Sequence, residues 1–133
     1  MNPKVLLVDD EERFRTTLSK MLKAHGLEVT DLGSGLEALE ELKRNSYDVV
    51  VLDVRMPEMD GIAVLAEMKK LDPLLEVIML TGHANMEAAT KIMWLGAYEF
   101  LLKPCAVEDL IDKIEFAFER KTTREAKKRE EED

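Results

Sequence analysis

The sequence predicts an α/β fold in which helices cover both faces of a doubly wound, five-stranded parallel sheet. Short apolar runs, each ending at a polar or charged residue, alternate with segments whose apolar residues recur at helical spacing. Strands that alternate with helices of about 10–15 residues are typical of parallel sheets with right-handed crossovers. With 133 residues, the chain is long enough to form one such domain around a sizeable core.

The clearest strand is the Val-Val-Val-Leu run at residues 49–52, which leads directly into Asp53. A continuous apolar run rich in β-branched residues indicates a strand that is covered on both faces. Open α/β sheets bind their ligands at the carboxyl ends of the strands. Asp53 is therefore expected to lie at a ligand site.

The first half of the chain begins with a predicted strand from Lys4 to Val8 and a helix that Gly26 ends. A weaker alternation over residues 27–32 predicts an edge strand. Ser34 and Glu37 have the spacing of a capping box at the start of the second helix. The apolar residues of these two helices form predicted stripes at Phe14, Leu18, Met21 and Leu22, and at Leu36, Leu39 and Leu42.

The second half continues the alternation, with predicted strands at residues 76–80 and 98–102. Asp60 and Asn85 are predicted N-caps of the third and fourth helices, because short polar side chains accept hydrogen bonds from free backbone N–H groups there. The third helix is expected to turn Ile62, Leu65, Met68 and Leu71 inward. The last helix has an apolar stripe that stops near Arg120, and the charged segment beyond it is expected either to continue as an exposed helix or to fray.

Composition excludes several classes of protein. A net charge of −9 argues against nonspecific binding to nucleic acid, and a single cysteine, Cys105, excludes an internal disulfide. No apolar stretch approaches the roughly 20 residues that span a bilayer. The first predicted strand lies too close to the N-terminus for a signal peptide, so we expect a cytoplasmic protein without a membrane partner.

Three carboxylates, a hydroxyl and an ammonium are expected to gather at the carboxyl edge of the sheet. Asp9 and Asp10 follow the first strand, Asp53 the third, Thr81 the fourth and Lys103 the fifth. Neighbouring carboxylates repel each other unless a cation neutralises them, and Mg²⁺ binds such oxygens while it contacts a phosphate. Lysine suits a phosphoryl oxygen, and a carboxylate can accept a phosphoryl group. The set predicts a site for a divalent cation and a phosphoryl group.

With two loop dipeptides, these residues resemble the receiver domain of a two-component response regulator over residues 3–120. The matching residues are Asp9-Asp10, Asp53 followed by Met56-Pro57 and Asp60-Gly61, then Thr81, and Lys103-Pro104. The resemblance implies a flavodoxin-like, chemotaxis-receiver-like fold with strand order 2-1-3-4-5. It also implies a receiver domain over residues 1–120, with residues 121–133 as a charged tail or linker.

The resemblance also implies a role for each site residue. Asp53 would be the phosphoacceptor, supplied by the phosphohistidine of a sensor histidine kinase, and Lys103 would pair first with Asp53 and then with the phosphoryl group. Mg²⁺ would be bound directly by Asp10, Asp53 and the backbone carbonyl of Arg55, and mainly through water by Asp9. The domain would catalyse only its own phosphorylation and dephosphorylation.

A conformational switch is implied as well. Thr81 would move to the phosphoryl oxygen, and Phe100 would turn inward without the hydroxyl that a tyrosine switch has. Arg55 and His83 lie at positions that influence phosphoryl lifetime in the family. The fourth helix, fifth strand and last helix would then signal to an output domain or downstream protein, and the resemblance leaves open a phosphorylation-dependent homodimer.

Two other classes of function compete with this interpretation. A small phosphatase or phosphotransferase with an aspartyl nucleophile often has a second acid two residues after it, where this chain has Arg55. A pseudo-receiver that binds partners without phosphorylation is expected to have lost one of the acids, including Asp53, or the lysine Lys103, and none of these residues is missing.

Overall fold

The structure is a computed structural model that describes residues 2–56, 59–82 and 85–132. Strands and helices alternate along the whole of these ranges. In chain order they are β1 (Lys4–Val8), α1 (Glu12–Ala24), β2 (Glu28–Leu32), α2 (Gly35–Arg44), β3 (Val49–Leu52), α3 (Gly61–Leu71), β4 (Glu76–Thr81), α4 (Met86–Trp94), β5 (Glu99–Leu102) and α5 (Val107–Glu132).

All strand pairs are parallel and the sheet order is β2-β1-β3-β4-β5, so the predicted fold class and strand order are confirmed. The register sets which residues meet at the carboxyl edge. Val8 pairs with Leu52, so the residues that follow β1 and β3 lie side by side. Thr81 pairs with Leu102, and the N–H of Lys103 donates to the Thr81 carbonyl at 2.9 Å.

The core consists of two hydrophobic clusters, one on each face of the sheet. Residues from α2, α3 and α4 pack into the first cluster, and residues from α1 and α5 pack into the second. Successive side chains of a strand point to opposite faces, so the continuous apolar runs of β1 and β3 supply both clusters. Leu6, Val8, Val50 and Leu52 belong to the first cluster, and Val5, Leu7, Val49 and Val51 to the second.

The predicted helix ends are also found. The side chains of Ser34, Asp60 and Asn85 each accept a hydrogen bond from the backbone N–H three residues later. Gly26 and Gly96 end α1 and α4 with φ values of +90° and +98°, a conformation that favours glycine.

Three residues of the predicted inner faces are exposed instead. Met21, Leu36 and Leu71 are 42%, 48% and 45% exposed, so the inward placement expected for them is wrong. In α2 and α3, Ala38 and Val64 are fully buried. A Cβ added to Gly35 would clash with the side chain of Val64, so this close approach of α2 to α3 determines which residues face the sheet.

The last helix continues past residue 120, where its apolar stripe stops. Lys121 is only 6% exposed and its ammonium lies 3.2 Å from a carboxylate oxygen of Asp48. Arg120 and Arg124 lie 3.0 and 2.8 Å from the two oxygens of the fully buried Glu76. Burial raises the pKa of Glu76, although the two arginines oppose the shift. Ion pairs therefore hold the charged part of α5 where apolar contacts end.

None of the helices in the described ranges is both long enough and apolar enough to cross a bilayer.

Candidate functional site

Three carboxylates meet where β1 and β3 end. Asp9, Asp10 and Asp53 each offer one oxygen, and these oxygens all lie within 4.8 Å of one another. Asp9 and Asp53 are buried, at 2% and 4% exposure, whereas Asp10 is exposed. Carboxylates at such distances repel unless positive charge is brought between them. The cluster can hold a metal ion with oxygen ligands.

Asp9 is fixed from several sides. One carboxylate oxygen accepts from the N–H of Glu11 at 2.9 Å, and the other from the ammonium of Lys103 at 2.7 Å. Its backbone carbonyl accepts from Nη1 of Arg15 at 2.8 Å, while Nε of Arg15 donates to Asp31 at 2.9 Å. Burial raises the pKa of Asp9, although the hydrogen bonds from Lys103 and Glu11 oppose the shift. Both carboxylate oxygens of Asp9 therefore already accept hydrogen bonds from other residues of the protein.

Lys103 brings a positive charge to the cluster. Its Nζ lies 2.7 Å from Asp9, 3.7 Å from Asp53 and 3.6 Å from Glu11, and its side chain is 15% exposed. Burial by itself lowers the pKa of Lys103, but the hydrogen bond and the charge of Asp9, with the charges of Asp53 and Glu11, outweigh it and raise the pKa. One ammonium beside three clustered carboxylates leaves the site net negative.

One carboxylate oxygen of Asp53 is available for a new contact. Its Oδ1 is buried and has no hydrogen-bond partner among the described residues. A buried acceptor without a partner costs about 1–3 kcal/mol, and more when it is charged. An ion or a transferred group that contacts this oxygen would remove that cost. The free oxygen and the neighbouring acids therefore fit a hard divalent cation such as Mg²⁺.

Gly61 packs directly against the backbone of the residue that carries this carboxylate. Its N–H donates to the carbonyl of Val54 at 2.6 Å. A Cβ added at Gly61 would clash with the carbonyl oxygen of Asp53 and would lie 2.8 Å from Cα of Val54. Because both neighbours are backbone atoms, they cannot turn away as a side chain would. The absence of a side chain at Gly61 therefore sets the position of Asp53.

We expect Gly61→Ala to lower the free energy of unfolding by about 1–3 kcal/mol, because overpacking against backbone forces a main-chain shift. Urea denaturation of the two proteins measures the difference. Gly82→Ala is the matched control, since a Cβ there would meet Lys103 only at 3.9 Å, an ordinary contact. Equal losses in the two variants would contradict the role given to Gly61.

Thr81 and Phe100 lie on β4 and β5, the two strands on one side of β3. Thr81 is the last residue of β4, is fully buried, and accepts the backbone hydrogen bond of Lys103. Phe100, on β5, is half-buried and packs against the first core cluster. Both are therefore on the elements that the sequence predicted, and Thr81 is linked through its backbone to Lys103.

Arg55 is exposed and lies on the same side as the acidic cluster. It lines an open pocket of about 290 Å³ together with Asp10, Met56 and Asp60. This places the residue predicted to offer a backbone carbonyl beside one of the three carboxylates. His83 lies outside the described residues.

Three residues that shape the site were not among the predicted site residues. Arg15 holds the loop after β1, Gly61 sets the position of Asp53, and the ring of Phe14 faces Lys103 at 4.0 Å from Nζ to the ring centroid. In the sequence, Phe14 looks like one more member of an apolar stripe and Gly61 like a loop glycine. Gly61 also belongs to the Asp60-Gly61 dipeptide of the resemblance, but only the packing of α1 and α3 against the sheet edge shows how these residues shape the site.

The comparison with known proteins identifies a family for this chain. The family model for the response regulator receiver domain matches residues 5–115. The transcriptional regulatory protein ZraR of Escherichia coli (strain K12) is 38% identical over 116 residues, which are 87% of this chain and 26% of that protein.

Solved structures agree with this match. A CheY-like response regulator receiver domain protein from Methanospirillum hungatei JF-1 superposes with a TM-score of 0.90 at 26% identity, covering 93% of this chain and 99% of that one. The beryllofluoride-activated NtrC4 receiver domain dimer has a TM-score of 0.84 at 39% identity, covering 89% and 98%.

The chain spans about a quarter of the length of the curated relatives it matches. The family match covers most of the chain and includes β1, β3, β4 and β5, whose carboxyl ends supply the acids, the hydroxyl and the lysine. The protein is a member of the response regulator receiver domain family.

Proposed function

We propose that this receiver domain accepts a phosphoryl group on Asp53 from the phosphohistidine of a sensor histidine kinase. The observation that carries the proposal is the buried Asp53 carboxylate, with one oxygen free of hydrogen bonds among the described residues. That carboxylate lies beside two further acids and 3.7 Å from the Lys103 ammonium. The arrangement offers a nucleophile and a counter-charge at one point.

Asp10, Asp53 and the backbone carbonyl of Arg55 are the proposed direct ligands of Mg²⁺. Asp9 would act mainly through water, since its two oxygens already accept from Lys103 and from the N–H of Glu11. When bound, the ion neutralises the carboxylates and the charge on the transferring phosphoryl oxygens.

The chain's own side chains position and stabilise the transferred group. A carboxylate oxygen of Asp53 forms the new bond to phosphorus, the bond from phosphorus to the histidine nitrogen breaks, and the imidazole leaves with the electron pair. Lys103 faces the developing charge on one phosphoryl oxygen, and the Thr81 hydroxyl donates to another. Such catalysis consists of positioning and electrostatic stabilisation.

Phosphorylation would then bias a two-state arrangement of the domain. The phosphoryl group carries about −1.5 to −2 charges in place of the single negative charge of the Asp53 carboxylate, so the acidic cluster becomes more negative by at most about one charge, and Thr81 moves to bind the group. Phe100 would then turn inward, and the surface formed by α4, β5 and α5 would change. On that surface Met86 and Trp94 are 83% and 88% exposed, which suits a contact with an output domain, a downstream protein or a second receiver. Arg55 and His83 are proposed to set the phosphoryl lifetime.

The relatives support a proposal about the wider context. Because they are transcriptional regulators and this chain matches only about a quarter of their length, we infer that the domain belongs to a cytoplasmic regulator whose output is transcription.

The test is intact-mass measurement after incubation with acetyl phosphate or phosphoramidate. With Mg²⁺, the protein should gain the mass of one phosphoryl group, and with EDTA it should gain none. A protein that stays unmodified with both donors would contradict the proposal and favour a pseudo-receiver. Turnover of a sugar phosphate would favour an enzyme acting on metabolites.

A further inference from the structure

The ammonium of Lys103 lies over the face of the aromatic ring of Phe14. Phe14 is on the first turns of α1, half-buried, and packs against the second core cluster. Nζ of Lys103 lies 4.0 Å from the centroid of its ring. The two residues also line one small pocket of about 140 Å³, with residues of α1 on one wall and residues of α5 on another.

The ammonium is therefore enclosed by carboxylates and a ring face. Asp9 is 2.7 Å away, Glu11 3.6 Å and Asp53 3.7 Å, and only 15% of the lysine side chain is exposed. The face of a phenyl ring carries partial negative charge and attracts a cation, more strongly when water is excluded. The ring thus occupies space from which water would otherwise solvate the ammonium.

A lysine needs such a constraint more than an arginine would. Its ammonium sits on a flexible four-carbon stem and is strongly hydrated, so it loses rotamer freedom when it is held in one place. Asp9 already binds the ammonium more closely than Asp53 does. A fixed ring face restricts the ammonium of Lys103 to positions near the carboxylates of both Asp9 and Asp53.

We propose that Phe14 is a positioning residue for Lys103, and that its ring holds the ammonium where it can serve the phosphoryl group on Asp53. The proposal rests on the function proposed above and adds a residue to it. The competing explanation is that Phe14 only fills the core along the apolar stripe of α1. The two explanations differ in what leucine and tyrosine do at this position.

Phe14→Leu keeps an apolar side chain and removes the ring face, whereas Phe14→Tyr keeps the face. We expect Phe14→Leu to slow phosphorylation by acetyl phosphate and Mg²⁺ roughly three- to tenfold, and Phe14→Tyr to stay near the unmodified protein. Initial rates from intact mass provide the comparison. Phe118→Leu is the matched control, because Phe118 is half-buried in the same cluster but is not among the described rings that face a cation.

A second readout needs no phosphorylation. In protein labelled with ¹³C-lysine, the terminal methylene signals of Lys103, identified by their loss in Lys103→Arg, should be shifted upfield by the ring. Phe14→Leu should abolish this shift, and Phe14→Tyr and Phe118→Leu should keep it. If the Lys103 methylene shift were unchanged in Phe14→Leu, the contact between the ring and the ammonium would be contradicted.

The rates decide the role. Equal rates for Phe14→Leu and the unmodified protein, or equal slowing by Phe14→Leu and Phe14→Tyr, would reduce Phe14 to a core residue and overturn the proposal. If the unmodified protein takes up no phosphate from either donor, the proposed function fails and takes this role with it. The methylene shift then still reports whether the ring holds Lys103.

Discussion

Replacing Asp53 with asparagine is expected to abolish phosphoryl uptake from acetyl phosphate. The amide has nearly the same shape as the carboxylate, but its oxygen is a poor nucleophile and cannot form a stable acyl phosphate. The substitution also removes one negative charge from a cluster in which three acids lie within 4.8 Å, so the fold should tolerate it. Intact mass in the presence of Mg²⁺ measures the loss, which should be complete.

Asp60→Asn is the matched control for this result. Asp60 lies on the same side of the sheet, lines the pocket next to Asp10, and caps α3 by accepting from the N–H of Ala63 at 2.9 Å. Asparagine caps helices about as well as aspartate, so the variant should fold and accept phosphate normally. Undiminished uptake by Asp53→Asn would assign the acceptor role to another carboxylate.

Magnesium is expected to stabilise the fold, because it would be bound by the native acid cluster and not by the unfolded chain. At a concentration one hundred times the dissociation constant, such binding adds about 2.7 kcal/mol to the free energy of unfolding. Asp10→Asn should remove most of this gain, since Asp10 is a proposed direct ligand. Urea denaturation with and without Mg²⁺ measures both quantities.

Two controls separate this effect from general salt screening. Glu12→Gln removes an exposed acid from the first turn of α1, outside the cluster, and should leave the magnesium gain intact. NaCl at the same ionic strength should produce little of the gain, since screening weakens repulsion only modestly at short distances. The same gain in Asp10→Asn as in the unmodified protein would rule out the proposed ligand.

The sequence predicts the geometry of the site well because strand ends are easy to locate. Asp9, Asp53 and Lys103 each follow an apolar run, and in a parallel sheet the ends of neighbouring runs meet at one edge. The strand order that the family resemblance implies makes β1 and β3 neighbours, and their register in the structure brings Asp9 and Asp53 together. Their proximity follows from topology and needs no knowledge of how side chains pack.

Features that depend on packing are not predictable in this way. Leu36 and Leu71 fit the helical period, but the close contact of Gly35 with Val64 turns other residues towards the sheet. Phe14 fits the apolar stripe of α1 whether or not the Lys103 ammonium lies over its ring, so the pattern does not predict that contact. The sequence shows which side of a helix is apolar, but not which neighbouring element that side meets.

The end of α5 shows the same limit for charges. Lys121 and Arg124 belong to a segment rich in both signs, which is typical of a solvated helix or a disordered tail. In the structure they bind Asp48 and the buried Glu76, which are more than forty positions away in sequence. Such pairings become visible only when the strands and the helix are placed in space.

The most direct measurement is the location of the phosphoryl group in the chain. After incubation with acetyl phosphate and Mg²⁺, reduction with borohydride converts an acyl phosphate on aspartate to homoserine, which peptide mass spectrometry assigns to a residue. Homoserine at position 53, and none at positions 9 and 10, is the predicted result. Homoserine at one of the other two acids, or none at any of the three, would contradict a receiver that uses Asp53.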